Sequence, residues 1–413
     1  MKVFKFGGAS VKDAERVKNV ALGLLESQGF EHCILIVSAM GKTTNALEKV
    51  VALYFQKGHY KQEIDIIKQN HIDIAKGIFC DEHSVFHEIA LFFDDLEAFL
   101  RRNKSPNYSF VYDQVVSSGE LISSKILSEY LNEKGFINQW LDVRDFIKTD
   151  DTYQEAEVNW QQTEELIRAL PEKVSYVTQG FIGSDSNNFT TTLGREGSDY
   201  TAAVFAYCTD AEAMTIWKDV PGVMTGDPRK FENVSLLSNI SYEEAIEMAY
   251  YGASVIHPKT LQPLQQKNIP FFVKSFLKPE EKGTKISLTA KNELTESYIL
   301  KNKQTLIRIE TRDFSFIAED HISHIFQLLN QSKIRVSLMQ NSAISLALCL
   351  EDPFGNIDVF NAELSRDFHT ELVKDVSLFT VRNTDLKDLH KFYKNKKVLL
   401  EQISRNTLQM VTQ

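Results

Sequence analysis

The sequence predicts an α/β chain: a large domain with a mainly parallel sheet sandwiched by helices, then two smaller ferredoxin-like modules, the second truncated. Three observations carry this. Short continuous apolar runs such as Cys33–Ser38 alternate with helical periodicity up to residue 275, as buried parallel strands and their crossovers do. A polar stretch, Lys278-Pro-Glu-Glu-Lys-Gly-Thr, then breaks the rhythm like a domain boundary. Beyond it the units shorten and read strand-helix-strand-strand-helix-strand.

In order, Val3–Phe6 alternates as a strand, Gly7–Ser10 turns, and Val11–Leu25 continues as a helix. Cys33–Ser38 is the next strand, and a helix follows with Thr44 or Asn45 as its N-cap. Residues 60–102 are helical, with Phe86, Ile89, Phe93, Leu96 and Leu100 on one apolar face. Val174–Val177 and Met214–Trp217 read as strands, and Ala202–Ala206 as a helix interior. The first small module runs through Leu306–Ile309, helix 321–331, Ile334–Leu338, Ser345–Leu350, helix 357–368 and Leu372–Lys374. The second begins with strand 376–381, helix 384–395 and strands near 397–403 and 406–412, and stops before a second helix.

With 413 residues the chain can bury large cores, and its 43% hydrophobic and 25% charged composition is that of an ordinary globular protein. A net charge of −10 argues against nucleic acid or an anionic membrane as partner. An anionic ligand must therefore meet a local positive pocket. Cys33, Cys80, Cys208 and Cys349 lie far apart, with neither a disulfide framework nor a zinc pattern. No signal peptide and no apolar run near the ~18 residues of a membrane span are present, so the expectation is a cytoplasmic protein.

Six loops carry chemistry. Lys5-Phe6-Gly7-Gly8-Ala9-Ser10 lets backbone approach a phosphate while Lys5 offers an ammonium; taken alone it is equally a common strand-end turn. Val37-Ser38-Ala39-Met40-Gly41-Lys42-Thr43-Thr44-Asn45 resembles a Walker A loop only superficially, because Ile36 stands where that motif needs glycine. Ser117-Ser118-Gly119-Glu120 places a carboxylate at a predicted helix start, as a dipole complement or a receiver for a substrate ammonium. Thr190–Ala202 combines a glycine turn, Arg195, Glu196, Ser198 and Asp199 ahead of a helix, which suits an anion. Ile216–Arg229 makes Pro and Gly turns at a strand end, where open α/β sheets bind ligands. In Tyr251–Lys259, His257 reads as a packed helix-end residue, not a metal ligand.

Lys-Phe-Gly-Gly-x-Ser, Ser-x-Gly-Glu, Thr-Gln-Gly-Phe (178–181), Thr-Leu-Gly-Arg-x-Gly-Ser-Asp and Asp-Val-Pro-Gly, in this order, resemble aspartokinases of the amino-acid kinase superfamily. The resemblance implies a catalytic domain over 1–290, an ACT-type regulatory domain over 304–375, and a truncated second one from 298–303 plus 376–413. It implies phosphorylation of the L-aspartate side chain by ATP with Mg²⁺, at the entry to lysine, threonine and methionine synthesis. Lys5 would contact the phosphates and Asp199 would orient that apparatus, with Gly7, Gly8 and Ser10 as phosphate cradle. Arg195 would clamp the α-carboxylate and Glu120 receive the ammonium, with Ser38, Thr44, Phe181 and Ser198 completing the aspartate pocket. Lys218, Asp219, Met224 and Arg229 would hold the nucleotide. No residues remain after the ACT region for a dehydrogenase domain. A kinase for another acidic amino acid, or a non-catalytic amino-acid sensor, are the competing readings.

The departures set further expectations. Glu196 replaces a frequent glycine and should point away from the anion loop; Ser254 replaces a frequent lysine. The family's effector-binding Val-Asp and Ser-Glu appear as Val336-Ser337 and Ser342-Ala343, which implies weak or no lysine binding there, or another effector. The missing last helix implies a homodimer through the ACT region.

Overall fold

The computed structural model describes residues 1–413 except 29–30, 254–255, 290–294, 314, 386–391 and 393–396. The chain divides into two compact units. One comprises Met1–Val223, Leu236–Ile246 and Ser254–Asn292; the other comprises Met224–Ser235, Glu247–Ala253 and Glu293–Gln413.

In the first unit the elements run β1 (Lys2–Phe6), α1 (Ala14–Gln28), β2 (Cys33–Val37), α2 (Thr43–Phe55), α3 (Tyr60–Lys76), α4 (Val85–Arg102) and α5 (Tyr108–Glu133). They continue with β3 (Gln139–Trp140), α6 (Trp160–Arg168), β4 (Tyr176–Gln179), β5 (Ile182–Ser184), β6 (Thr190–Thr192), α7 (Gly197–Cys208) and β7 (Ala213–Lys218). Last come β8 (Asn239–Ile240), α8 (Tyr242–Tyr251, whose end belongs to the second unit), α9 (Pro258–Gln266), β9 (Phe271–Ser275) and β10 (Thr284–Ile286). Among the described residues eight strands form one sheet in the order β3-β4-β2-β1-β7-β9-β10-β8, parallel except for the β9–β10 pair. The mainly parallel α/β expectation holds. Lys278–Thr284, expected as a boundary, is instead the connection that folds β10 back onto β9.

Register decides what each face of the sheet carries. Lys2, Phe4 and Phe6 on β1 pair with Ala213, Thr215 and Trp217 on β7, and these share one face. Val3, Lys5, Met214, Ile216 and Lys218 point to the other. A large apolar core, including Phe6, Leu35, Leu47, Phe93 and Ile126, joins the first face to the helices around it.

In the second unit β11 (Ser297–Thr311), α10 (Glu319–Gln331), β12 (Arg335–Asn341), β13 (Ser345–Glu351), α11 (Ile357–Leu364), β14 (Phe368–Arg382), β15 (Val398–Ser404) and β16 (Thr407–Thr412) follow. The antiparallel sheet has the order β12-β13-β11-β14-β16-β15. Its first four strands have the ferredoxin-like arrangement, with Ile325, Leu329, Phe360 and Leu364 packed against Ile307, Ile309 and Leu348. The helix expected over 357–368 stops at Leu364, followed by a turn in which the Ser365 hydroxyl donates to Asn361 O. The two strands expected at 372–374 and 376–381 are one strand, β14, that continues through Asp375 at φ 56°. Its far half pairs with residues 297–301 of β11, so Tyr298–Leu300 occupies the edge position expected for it. The expected helix 384–395 lies largely outside the described residues.

Candidate active site

Lys5 is the penultimate residue of β1 and Lys218 the last of β7, on the face against which α7 packs. Asp199 sits in the first turn of α7, fully buried. Its carboxylate meets Lys5 Nζ at 2.6 Å and Lys218 Nζ at 3.3 Å. Burial alone would push this acid up, but the two ammoniums outweigh it and hold Asp199 below its ordinary value. Lys218 is correspondingly held above its ordinary value: burial works against its charge, and Asp199 and Glu196 more than offset that.

Glu196 corrects an expectation. It does not point away: its Oε2 lies 3.9 Å from Lys218 Nζ, on the side of the Asp199 cluster. The cause is local backbone. Glu196 is the N-cap of α7 at φ 56°, a left-handed conformation that turns the side chain back over the helix start. Burial and the Asp199 charge raise its pKa.

The loops close around this cluster through backbone contacts. Gly41 N donates to Gly8 O at 3.0 Å, Ser38 N to Phe6 O at 3.0 Å, and Gly180 N to Val37 O at 3.1 Å. Ser10 is buried and its hydroxyl donates to Gly7 O at 2.6 Å. Thr44 and Asn45 are not the N-cap expected of them: α2 starts one residue before Thr44, with Lys42 as cap. Phe181, at φ 74°, donates its N–H to Thr201 Oγ1 and accepts from Leu193 N, which ties the 178–181 loop to the 190–202 loop. A side chain at Gly180 would collide with Ser198, so glycine is what lets the two loops touch.

Glu120 is a second correction. It lies in the middle of the 26-residue helix α5, not at a helix start, so the dipole reading is excluded. Gly119 allows the approach, since a Cβ there would stand 3.0 Å from that of Ala39. Glu120 is buried, and its Oε2 has no hydrogen-bond partner among the described residues. Burial pushes its pKa up to about 8, against the pull of backbone N–H groups and Lys5. Such an acid is arranged to receive a cation. Arg195 is exposed on the turn before α7 with no ion-pair partner among the described residues, ready for an anion.

Asp219 is exposed after β7. Met224 and Arg229 belong to the second unit, where the Arg229 guanidinium is closed on Asp227 with contacts of 2.9 and 3.0 Å. His257 caps α9, its Nδ1 accepting from Lys259 N at 3.2 Å, and among the described residues no group of three or more metal-ligating side chains converges. Ser254 lies outside the described residues.

The model for the amino acid kinase family matches residues 1–275. Lysine-sensitive aspartokinase 3 of Escherichia coli (strain K12) is 32% identical over 375 residues, covering 90% of this chain and 82% of that protein. The chain belongs to the aspartokinases. The structure of E. coli aspartokinase III in complex with aspartate and ADP (R-state) has a TM-score of 0.86 at 28% identity, covering 100% of this chain and 96% of that one. The complex of the same enzyme with lysine and aspartate (T-state) has a TM-score of 0.81 at 29% identity, covering 100% and 95%.

The geometry of this aspartokinase also contains positioning residues that the motifs did not reveal. Asp113 on α5 is buried and accepts from Thr192 N and Oγ1, both at 2.8 Å, and from Gln154 N at 3.0 Å. Burial raises its pKa to about 6 against these donors. The next residue, Gln114, brackets Thr190 through its side-chain amide. Together they fix the strand that leads into Arg195 and Asp199. The signal in sequence was a polar pair, Asp113-Gln114, inside an otherwise apolar helical stretch.

Proposed function

We propose that this aspartokinase moves the γ-phosphoryl group of ATP to the side-chain carboxylate of L-aspartate, giving 4-phospho-L-aspartate for lysine, threonine and methionine synthesis in the cytoplasm. The observation that carries the reading is the buried Lys5–Asp199–Lys218 cluster beside two glycine turns. The acceptor carboxylate is ionised at neutral pH, so no general base is needed. Its oxygen attacks the γ-phosphorus while the bond to the bridging oxygen breaks and ADP departs with the electron pair. The difficulty is to bring anions together, and the protein answers it with fixed cations. Lys5 and Lys218 neutralise phosphate oxygens, and Asp199 holds both ammoniums in place. Arg195 grips the α-carboxylate, Glu120 the α-ammonium, and Ser38, Thr44, Phe181 and Ser198 line the pocket. Asp219, Met224 and Arg229 serve the nucleotide; Arg229 must then leave Asp227. Mg²⁺, where bound with the nucleotide, would supply further positive charge on its phosphates; no protein ligand set for it converges among the described residues.

Glu196 modifies this plan. Two carboxyls facing two ammoniums leave no net positive charge for a phosphate when both acids are ionised, so Glu196 must carry a proton or turn out when ATP binds. Glu120 acts in the opposite sense. Its carboxyl is protonated below about pH 8 in the free protein, so taking up the aspartate ammonium expels a proton.

In the second unit the Ser337 hydroxyl donates to Gln304 Oε1 at 2.9 Å, and Lys301 Nζ lies 3.5 Å from it. A resident ammonium beside Ser337, and Ala343 in place of an acid, support the absence of a lysine site there. Calorimetry with lysine up to millimolar concentration is expected to give no binding heat. A homodimer through this region remains our reading; light scattering giving the mass of one chain at micromolar concentration would refute it.

Hydroxylamine trapping tests the main proposal. Aspartyl hydroxamate is expected from aspartate with ATP and Mg²⁺, not from glutamate, and not with Lys5→Ala. A folded protein that makes neither product would be a sensor.

A further inference from the structure

On the sheet face opposite Lys5 and Asp199, a cavity of about 800 Å³ opens over β1, β7, β9 and β10. Its position follows from register. Phe4 pairs with Thr215, Thr215 with Phe272 and Phe272 with Lys285, so all four project to the face that also carries Lys2 and Lys274. Phe4, Phe272, Leu236 and Pro270 make the walls apolar. Lys2, Lys274, Lys282 and Lys285 surround them.

Faces of a parallel sheet are ordinarily covered by apolar packing, and lysines on them need a partner. Here the partners are missing. The cavity's two carboxylates are already engaged: Glu212 with the N-terminal ammonium at 3.0 Å and Glu281 with Lys278 at 3.0 Å. Among the described residues no carboxylate lies within ion-pair distance of Lys2, Lys274, Lys282 or Lys285. Lys274 Nζ reaches only the Pro279 carbonyl, at 3.3 Å, and the face of Trp217, 5.3 Å from its centroid. Burial lowers the pKa of Lys274, a sign that its charge is poorly hydrated. In a chain of net charge −10, four lysines around one apolar hollow are a local reversal of the overall field.

We infer that this cavity is a second anion site, which takes a small organic anion: a carboxylate or phosphate on a flat apolar body. The volume suits one small molecule, and every lining residue belongs to a single unit. Phe4 and Phe272 supply the flat contact, and Lys274 on β9 and Lys285 on the neighbouring β10, opposite Phe272, supply the charge. Neither the phosphate nor the aspartate of the catalytic reaction is needed for this assignment, since every residue involved lies on the other face.

The test is calorimetric titration of the full chain saturated with ADP and aspartate, so that the catalytic face is filled. The probes are 1-naphthyl phosphate and 1-naphthoate, which separate phosphate from carboxylate chemistry, with neutral 1-naphthalenemethanol as control. One equivalent of at least one anion is expected to bind per chain, with affinity falling as salt rises. The neutral control and the Lys274→Gln/Lys285→Gln variant are each expected to bind at least roughly ten-fold more weakly. Should that double variant not fold, Lys282→Gln, at an exposed rim position, is expected to weaken the anion several-fold. The inference is overturned if neither anion binds at millimolar concentration, if the neutral compound binds equally well, or if a folded variant binds like the unaltered chain.

Discussion

The two faces of β1 and β7 use lysine in opposite ways. On one, Lys5 and Lys218 are drawn onto a single buried carboxylate, and a second acid, Glu196, completes a neutral set. On the other, Lys2, Lys274 and Lys285 stand on the same sheet with no carboxylate within ion-pair distance among the described residues, over an open hollow. A one-residue step in the strand separates the two environments. The difference teaches that a buried cation is held either by a permanent partner, which preorganises it for chemistry, or by access to solvent and a transient one.

Removing the permanent partner should break the comparison most severely. Asp199→Ala leaves two cations without their buried carboxylate, and the fold is expected to lose about 3–5 kcal/mol in denaturant unfolding. Lys5→Ala is expected to lower kcat by roughly 10²–10³-fold in the hydroxamate assay with little change in aspartate KM. Next comes the buried acid whose Oε2 has no partner among the described residues. Glu120→Gln is expected to raise aspartate KM by about 10–100-fold at pH 8, the range of a charged hydrogen bond. With the unaltered chain, aspartate binding should release a proton below pH 8, seen as a binding heat that varies with buffer ionisation enthalpy; the variant should lose that dependence. Stability has the sign set by the raised pKa: the folded state holds this proton longer than the unfolded chain, so the Glu120 contribution disfavours folding increasingly from about pH 4.5 to 8.

Glu196→Gln sharpens the comparison by giving the catalytic face an unneutralised charge like its reverse. KM for ATP is expected to fall roughly five-fold at pH 8, the worth of about 1 kcal/mol for a part-exposed pair. As Glu196 titrates in the unaltered chain, that KM should rise with pH, and the glutamine variant should flatten the curve. The smallest effect belongs to the cavity face. Lys285→Gln has no ion pair to lose, so kcat should be unchanged and stability should stay within about 0.5 kcal/mol.

Much of this was legible in the residues. Apolar runs located β1, β2 and β7, and the motif order brought Lys5, Arg195 and Asp199 to one family. Glu120 was misplaced because Ser117, Ser118 and Gly119 look like a loop. In α5 the Ser117 and Ser124 hydroxyls fold back on carbonyls of their own helix and Ser123 reaches Ser38 O, so tertiary packing overrides weak propensity. Glu196 was misdirected because its orientation depends on one left-handed φ that no pattern announces. Asp113 was passed over because a lone buried acid acquires meaning only once β6 lies against it.

The long strands of the second unit have a consequence for how the chain comes to be folded. Residues 297–301 find their strand partner in 378–382, and the other side of that segment is in turn bonded to β16 near the last residues. During synthesis an early piece of strand must therefore wait for a late one, with its strand-pairing groups unmatched in the meantime. A chain cut after residue 375 would keep that waiting segment for good, and its open edge would favour self-association.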